Sequence, residues 1–251
     1  MKRPTVICHM LQSIDGKVTG DFLASPAGSE ATELYYELNR SLNARGFACG
    51  RVTMEESFTG GFYPDLNPYK RTPVPEGDFL ADPDADFFAV SFDRRGRLGW
   101  QGPSIVDEDP GYGGAHIVQV LCRKGPKPAY LAYLRQIGVS YIFAGKDELD
   151  LPLALHKLST LFGIRTLLLE GGSVLNGAFE REGLIDELSL VIAPVLAREG
   201  DKPLCMSSRG SAFTLLDSQV YDSGVVWMRY GRVSSERKTE STEHGNNGRI
   251  F

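Results

Sequence analysis

This chain of 251 residues contains few of the residues that form disulfide scaffolds and zinc sites. It has four cysteines and four histidines, but no Cys-x-x-Cys pair and no histidine spacing typical of metal ligands. We therefore expect no metal in the functional site, and we interpret the cysteines as reduced, mostly buried thiols. The Gly-x-Ser-x-Gly turn of many hydrolases and the phosphate loop of NTPases are also missing, which disfavours both enzyme classes.

The chain also lacks a long apolar run and an excess of basic residues. No segment approaches the roughly 20 apolar residues that span a bilayer, so a soluble, cytoplasmic protein is expected. The formal net charge is −5, whereas binding to nucleic-acid phosphates needs clustered Lys and Arg, so we expect no nucleic-acid partner. With 42% hydrophobic and 24% charged residues, the composition is that of an ordinary globular protein.

Short apolar runs alternate with amphipathic stretches through most of the chain. A helix is indicated at Ser29, for example, because a capping serine is followed by leucines spaced four residues apart. Strands that alternate with helices predict an α/β fold with a mostly parallel central sheet flanked by helices. The predicted strands cover residues 6–11, 46–50, 87–92, 116–121, 140–144 and 165–170, and the predicted helices begin at Ser29, Val52, Pro128, Leu151 and Ser173.

The last part of the chain has a different pattern. Three strand-like segments occur there, at residues 187–193, 213–221 and 225–233, and an Asp-Ser-Gly turn joins the last two. We therefore expect antiparallel strands at one edge of the parallel sheet. Residues 1–234 are expected to form one domain, followed by a polar tail over 235–251 that is rich in Ser, Glu, Gly and Asn.

The strongest signal for chemistry lies between residues 167 and 177, where an apolar strand ends at two glycines and a helix follows. Free amides at a helix N-terminus attract phosphate, and Gly171 and Gly172 would let a diphosphate approach the backbone. Ser173 is expected to cap the helix. Glu170 is the unusual residue, because it places a carboxylate at the sheet edge where α/β proteins bind ligands. The alternative is a structural turn in which Glu170 caps the next helix.

Other strand ends carry groups suited to a dinucleotide. Gly50, Arg51 and Thr53 form a second corner between a strand and a helix, with a cation and a hydroxyl for phosphate. The basic stretch 94–97 and Lys146 follow two further strands, and they could bind the 2′-phosphate that distinguishes NADP from NAD. Exposed arginines in ordinary surface turns would explain the same pattern.

The turn after the first predicted strand is polar. Ser13, Asp15 and Lys17 place a hydroxyl, a carboxylate and an ammonium group at the same edge of the sheet. A plain Asp-Gly turn would explain these residues equally well.

These motifs together resemble the reductase domain of bacterial riboflavin biosynthesis, the RibD C-terminal family. Their order and spacing match that family over nearly the whole chain, to about residue 232. The resemblance implies a dihydrofolate reductase-like fold, NADPH as cofactor, hydride transfer to the ribose of a ribosylaminopyrimidine phosphate, and a homodimer formed through the C-terminal strands. The matching motifs occupy residues 13–17, 50–53, 90–98, 170–179 and 183–188.

The resemblance also assigns roles to individual residues. It places Glu170 beside the nicotinamide as a catalytic residue that faces the substrate, and Asp15 in the same pocket as a polar anchor or a member of a proton network. Ser13, Lys17 and Arg40 are the remaining candidates for substrate binding. The cofactor is expected on Gly50, Arg51, Thr53, Gly171, Gly172, Ser173, Val174 and Leu175.

The chain departs from the family pattern in two places. The family's Asp-x-Pro-x-Leu segment, with the Arg that binds the substrate phosphate, is matched only loosely by residues 54–71. Arg40, Lys70 and Arg71 are candidates to replace that Arg. An insertion over about 59–115, with ends rich in proline and glycine, is expected to be a lid or an oligomer contact.

Two classes of function stay open. The first is an NADPH-dependent reductase, either of the riboflavin type or acting on another small heterocyclic or carbonyl substrate. The second is a non-catalytic nucleotide-binding module, which would need the glycines but not an acid such as Glu170. Dihydrofolate is a weaker alternative substrate, because the predicted helix from Ser29 lacks a clear buried acid for binding a pteridine.

Overall fold

The computed structural model describes residues 1–233, which form a nine-stranded sheet covered by helices. The strands are β1 (Thr5–Ser13), β2 (Gly46–Gly50), β3 (Phe88–Phe92), β4 (His116–Leu121), β5 (Ser140–Phe143), β6 (Thr166–Leu169), β7 (Glu187–Ala193), β8 (Phe213–Val220) and β9 (Val226–Arg232). The helices are α1 (Pro26–Ser41), α2 (Arg51–Met54), α3 (Pro128–Gln136), α4 (Leu151–Leu161) and α5 (Ser173–Arg181), with short helical turns at Asp21–Ala24, Glu55–Thr59 and Asn67–Tyr69.

The strand order across the sheet is β5-β4-β3-β2-β6-β1-β7-β9-β8. Every pair from β5 to β7 is parallel, whereas β9 is antiparallel to both β7 and β8. Continuous apolar runs such as Leu167-Leu168-Leu169 suit parallel strands, because helices bury both of their faces. The predicted fold class, a mostly parallel α/β sheet with antiparallel C-terminal strands, is confirmed.

Helices pack on both faces of the sheet, so the side chains of each central strand alternate between two cores. On one face, Leu167 and Leu169 of β6 belong to a buried cluster with Phe179 of α5. On the other face, Leu168 belongs to a cluster that includes aromatic residues of α3. Glu170 follows directly, and it therefore lies on the same face as Leu168.

Helix α1 begins three residues earlier than the sequence pattern predicted, at Pro26 instead of Ser29. The side chain of Ser25 accepts a hydrogen bond from Gly28 N at 3.1 Å, and Pro26 occupies the first helical position. A serine cap followed by proline is a favourable helix start, because the cap satisfies a free amide and proline has none to satisfy.

The predicted insertion over 59–115 contains β3, which pairs with β2 on one side and with β4 on the other. This strand is an integral part of the sheet, and largely irregular connections lie before and after it, over 60–87 and 93–115. The role of these connections as a lid or an oligomer contact stays a prediction.

Two further expectations concern the chain ends and the cysteines. The predicted tail over 235–251 lies outside the described residues. The four cysteines are free, and three of them are buried. Within residues 1–233, none of the helices combines the length and the apolar character that a membrane span requires.

Candidate active site

A cavity of about 780 Å³ opens at the carboxyl ends of the central strands. Its wall includes Gly50 at the end of β2, Phe92 at the end of β3 and Glu170 just after β6. Parallel strands bring these positions to one edge of the sheet, which is where α/β proteins bind ligands. Of the predicted cofactor residues, all except Gly171 belong to the cavity wall.

The turn between β6 and α5 forms a wall that is suited to phosphate. Gly172 has φ of 56°, and a Cβ there would lie 3.3 Å from Thr53 Oγ1, so both the backbone and the space favour glycine. Gly50 N donates to Gly171 O at 2.9 Å, which joins the corner after β2 to this turn. The two predicted phosphate corners therefore form one continuous surface.

Ser173 has a different role from the one predicted. The prediction that it caps α5 is wrong, because Gly172 occupies the cap position, Ser173 is the first helical residue, and no side chain caps the helix. The Ser173 hydroxyl is buried and has no hydrogen-bond partner in the described part of the chain. A buried hydroxyl without a partner is destabilising, and an oxyanion bound at this helix end would satisfy it together with the free amides.

The turn after β3 is held in shape by a buried carboxylate. Asp93 Oδ2 accepts hydrogen bonds from the backbone amide of Arg97, from Leu98 N at 2.9 Å and from Gln119 Nε2 at 2.9 Å. Gly96 within the turn has φ of 66°, which favours glycine. These hydrogen bonds fix the backbone of the turn, and with it the positions from which its side chains extend.

This turn and the corner after β2 bring arginines to the cavity, and they differ in whether they already pair with an acid. Arg51 and Arg94 each form an ion pair with a glutamate. Arg95 and Arg97 line the cavity, are exposed, and have no acidic partner within 4.0 Å among residues 1–233. Of the arginines predicted to bind phosphate, these two are available for a bound anion.

Glu170 lies at the inner wall of the cavity and is only 7% exposed. Its Oε2 accepts a hydrogen bond from the Tyr112 hydroxyl at 2.9 Å, and its Oε1 accepts one from Asn39 Nδ2. Burial raises the pKa of Glu170 to about 7, although these hydrogen bonds act in the opposite direction. A carboxyl group with this pKa can hold or release a proton near neutral pH, as acid–base catalysis requires.

The predicted substrate residues outside this cavity form contacts of their own. Ser13 Oγ donates to Asp15 Oδ1 at 2.7 Å and accepts from Lys17 N at 3.0 Å, so the turn after β1 is tightly hydrogen-bonded. A backbone amide from the segment after β7 and the Ser13 hydroxyl lower the pKa of Asp15. Arg40 pairs with Asp109 at 3.2 Å. Because the cavity wall, as far as the chain is described, includes none of these residues, their roles in substrate binding stay predictions.

Comparison with known proteins shows a family similarity over part of the chain. Residues 118–227 match the family model described as the RibD C-terminal domain. The matched range includes Glu170 and the turn between β6 and α5, whereas the corner after β2 lies outside it. The predicted relationship to the riboflavin-biosynthesis reductases is confirmed.

Similarity to individual relatives extends beyond the matched range. A 2,5-diamino-6-ribosylamino-4(3H)-pyrimidinone 5′-phosphate reductase from Methanothermobacter thermautotrophicus is 28% identical over 83% of this chain and 86% of its own length. An Aquifex aeolicus reductase of the same name is 24% identical over 84% of this chain and 85% of its own length. The structure of a pyrimidine reductase-like protein from Corynebacterium diphtheriae matches with a TM-score of 0.65 and 17% identity over 92% of each chain, which shows the same fold.

The site also contains residues that the sequence pattern did not single out. Asn39 and Tyr112 bind Glu170, and Lys202 and Met206 contribute to the cavity wall. In the sequence, Asn39 could be recognised only as a polar residue on the predicted buried side of α1, which does not indicate what it contacts. Tyr112 lies in a glycine-rich stretch of irregular structure, so no periodicity indicated the direction of its side chain.

Proposed function

We propose that this protein is an NADPH-dependent reductase of riboflavin biosynthesis, which reduces the ribose of a ribosylaminopyrimidine 5′-phosphate to a ribityl chain. The observation that carries the proposal is a buried acid, Glu170, directly before a glycine turn suited to phosphate in one cavity. The names of the two similar reductases support the same substrate class. Their names specify a 2,5-diaminopyrimidinone, and the corresponding 5-aminouracil is the second candidate substrate.

The residues of the cavity fit a dinucleotide cofactor. Among the described residues the Ser173 hydroxyl has no partner and no side chain caps α5, so both the hydroxyl and the first turn of the helix offer donors to a diphosphate. Gly172 leaves space beside Thr53. Arg95 and Arg97 would bind a further phosphate group, which favours NADPH over NADH. When bound, the cofactor supplies the hydride.

Glu170 is proposed to control the proton that the reduction requires. Opening of the ribose breaks the bond between C1′ and O4′, so C1′ gains a hydride and O4′ gains a proton. The Glu170 carboxyl group can hold such a proton near neutral pH, because burial raises its pKa to about 7. Asp15 is proposed as a polar anchor in the neighbouring turn, where the Ser13 hydroxyl fixes its orientation.

We also propose a homodimer formed through the C-terminal strands. β8 is an edge strand of the sheet, and three of its apolar side chains, Leu215, Leu216 and Val220, are at least 50% exposed. An unpaired edge with exposed apolar side chains is suited to association. A monomer in light scattering at micromolar concentration would contradict this assembly. The cytoplasmic location and the absence of a nucleic-acid partner stay predictions.

The proposed function is tested first by binding and then by turnover. Titration with NADPH and NADH should show tighter binding of NADPH, and addition of either ribosylaminopyrimidine phosphate should oxidise it. Binding of NADPH without oxidation in the presence of either compound would favour a nucleotide-binding module. Oxidation only with a different carbonyl or heterocyclic compound would assign another substrate to the same fold.

A further inference from the structure

We propose that Tyr112 and Asn39 are positioning residues, which hold the Glu170 carboxylate in place and set the pH range over which it exchanges a proton. The inference rests on the proposed role of Glu170 in the reduction. It also assigns a function to the connection between β3 and β4, which supplies Tyr112.

The loop over residues 105–115 is folded so that one large side chain is directed inward. The amides of residues 111, 112 and 113 all donate to Asp109, at 2.6, 3.0 and 2.8 Å. Glu108, in the same loop, is exposed, whereas Tyr112 is only 8% exposed. The loop therefore has a defined shape that places the tyrosine ring against the sheet.

Aromatic rings from other elements hold the ring of Tyr112. Phe47 of β2 lies with its ring centroid 4.8 Å from that of Tyr112 at an interplanar angle of 83°, and Tyr36 of α1 lies at 5.8 Å and 84°. Phe58 adds a third contact at 5.8 Å. Edge-to-face packing of this kind is favourable and directional. It leaves the hydroxyl 2.9 Å from Glu170 Oε2.

Asn39 approaches Glu170 from α1, and this helix is attached to the sheet one turn earlier. The ring of Tyr35 stacks on His9 of β1 with centroids 4.3 Å apart, and the Tyr35 carbonyl accepts a hydrogen bond from His9 Nε2 at 3.0 Å. Burial lowers the pKa of His9 to about 4, so this contact persists with a neutral imidazole near pH 7. Asn39 is 4% exposed and donates Nδ2 to Oε1 of Glu170.

In the described part of the chain, the Glu170 carboxylate is surrounded by neutral donors and by no cation. Within residues 1–233, no lysine, arginine or histidine nitrogen lies within 4.0 Å of its oxygens. Burial raises the pKa of Glu170, and hydrogen bonds to its ionised form are therefore the main local influence that lowers this pKa. The groups that face Glu170 are Tyr35, Tyr36 and Asn39 from α1, Tyr112 and Asp109 from the connection after β3, Cys8 from β1 and Cys49 from β2.

Loss of one donor should therefore raise the pH at which Glu170 ionises. Tyr112→Phe removes the hydroxyl and keeps the ring, so packing is retained. One hydrogen bond corresponds to an upward shift of about one pH unit. Tyr36→Phe is the matched control, because it removes a neighbouring hydroxyl that forms no hydrogen bond with Glu170 in the described structure.

The experiment measures the ionisation of Glu170 directly, by carboxyl carbon NMR of protein labelled at glutamate, with the Glu170→Gln variant identifying the signal. We expect the midpoint to rise by about one pH unit in Tyr112→Phe and to stay unchanged in Tyr36→Phe. In a plot of kcat against pH, the limb that reflects the ionisation of Glu170 is absent in Glu170→Gln. This limb should move by the same amount in Tyr112→Phe. The KM and the affinity for NADPH should change by less than about twofold.

An unchanged midpoint in Tyr112→Phe would overturn the inference, and so would an equal shift in the control. Asn39→Leu should raise the midpoint as well, and melting temperatures show whether each variant is folded. If Asn39→Leu does not fold, Tyr112→Phe decides the result alone. Failure of the wild type to reduce either ribosylaminopyrimidine phosphate would contradict the proposed function, whereas the NMR titration would still decide the positioning of Glu170.

Discussion

Replacing Glu170 by glutamine should stabilise the folded protein at neutral and alkaline pH while slowing the proposed reaction. In the unfolded chain this glutamate has its ordinary pKa of 4.5, whereas burial raises the pKa in the folded state to about 7. Between these values the folded state retains a proton that the unfolded state has released. The contribution of Glu170 to stability is therefore fully present below pH 4.5 and is lost as the pH rises through about 7.

The expected size follows from this difference in pKa. One pKa unit corresponds to about 1.4 kcal/mol, so a change from 4.5 to about 7 corresponds to roughly 3 kcal/mol of unfolding free energy. Glutamine has a similar shape, and it can accept from Asn39 through its oxygen and donate to the Tyr112 hydroxyl through its nitrogen. Because glutamine does not titrate, its advantage over glutamate should grow from near zero at about pH 4.5 to roughly 3 kcal/mol at about pH 8.

Urea unfolding of both proteins across this pH range tests the argument, with the exposed Glu30→Gln as a control that should show no such trend. Single-turnover hydride transfer should be slower in Glu170→Gln by about one to three orders of magnitude. A stability difference that does not depend on pH would refute the reasoning from burial. Wild-type turnover in the variant would refute the catalytic role of Glu170.

Three other predictions concern cofactor binding and acid stability. Arg95→Gln and Arg97→Gln should weaken NADPH binding by about 10- to 100-fold and leave NADH binding nearly unchanged. The control Arg123→Gln, which lies outside the cavity, should alter the binding of neither cofactor, and equal affinities of the wild type for NADPH and NADH would contradict the prediction. Ser173→Ala should raise the Kd for NADPH several-fold without lowering the melting temperature, because the lost hydroxyl is buried and has no hydrogen-bond partner within residues 1–233. A lower melting temperature with unchanged affinity would argue for a structural role. His9 has its ordinary pKa of 6.5 when unfolded and about 4 when folded, so its contribution to stability is complete above pH 6.5 and falls by roughly 3 kcal/mol as the pH falls to 4. Urea unfolding of the wild type should show this loss of stability. If His9→Gln loses the same stability over this pH range, the loss belongs to other groups.

Much of the sheet could be predicted from the sequence, because the physical signal is local. Strands such as β4 and β6 are buried on both faces, so most of their residues are apolar, and β6 ends in an uninterrupted run of three leucines. The parallel arrangement then places Gly50 and Glu170 at one edge, although 120 residues separate them in the chain. The alternation of helices and strands predicts that the strands run parallel. Because they do, the corners after β2 and β6 meet in one cavity.

The surroundings of Glu170 could not be predicted in this way, because they depend on contacts between distant segments. Asn39 is 131 residues from Glu170 and Tyr112 is 58 residues from it, and neither lies at a strand end. The cap of α5 shows a related difficulty. Serine is a favoured residue at the cap position, but here Gly172, with a positive φ of 56°, occupies that position and Ser173 is the first residue inside the helix.

The most direct test of the proposed reduction follows the hydride itself. The purified protein is mixed with NADPH that carries deuterium at the transferred position and with each ribosylaminopyrimidine 5′-phosphate in turn, and the product is examined by mass spectrometry and NMR. We predict a ribityl product with deuterium at C1′, formed in proportion to the NADPH consumed and greatly reduced in Glu170→Gln. Tight binding of NADPH with no labelled product from either compound would contradict the proposed function.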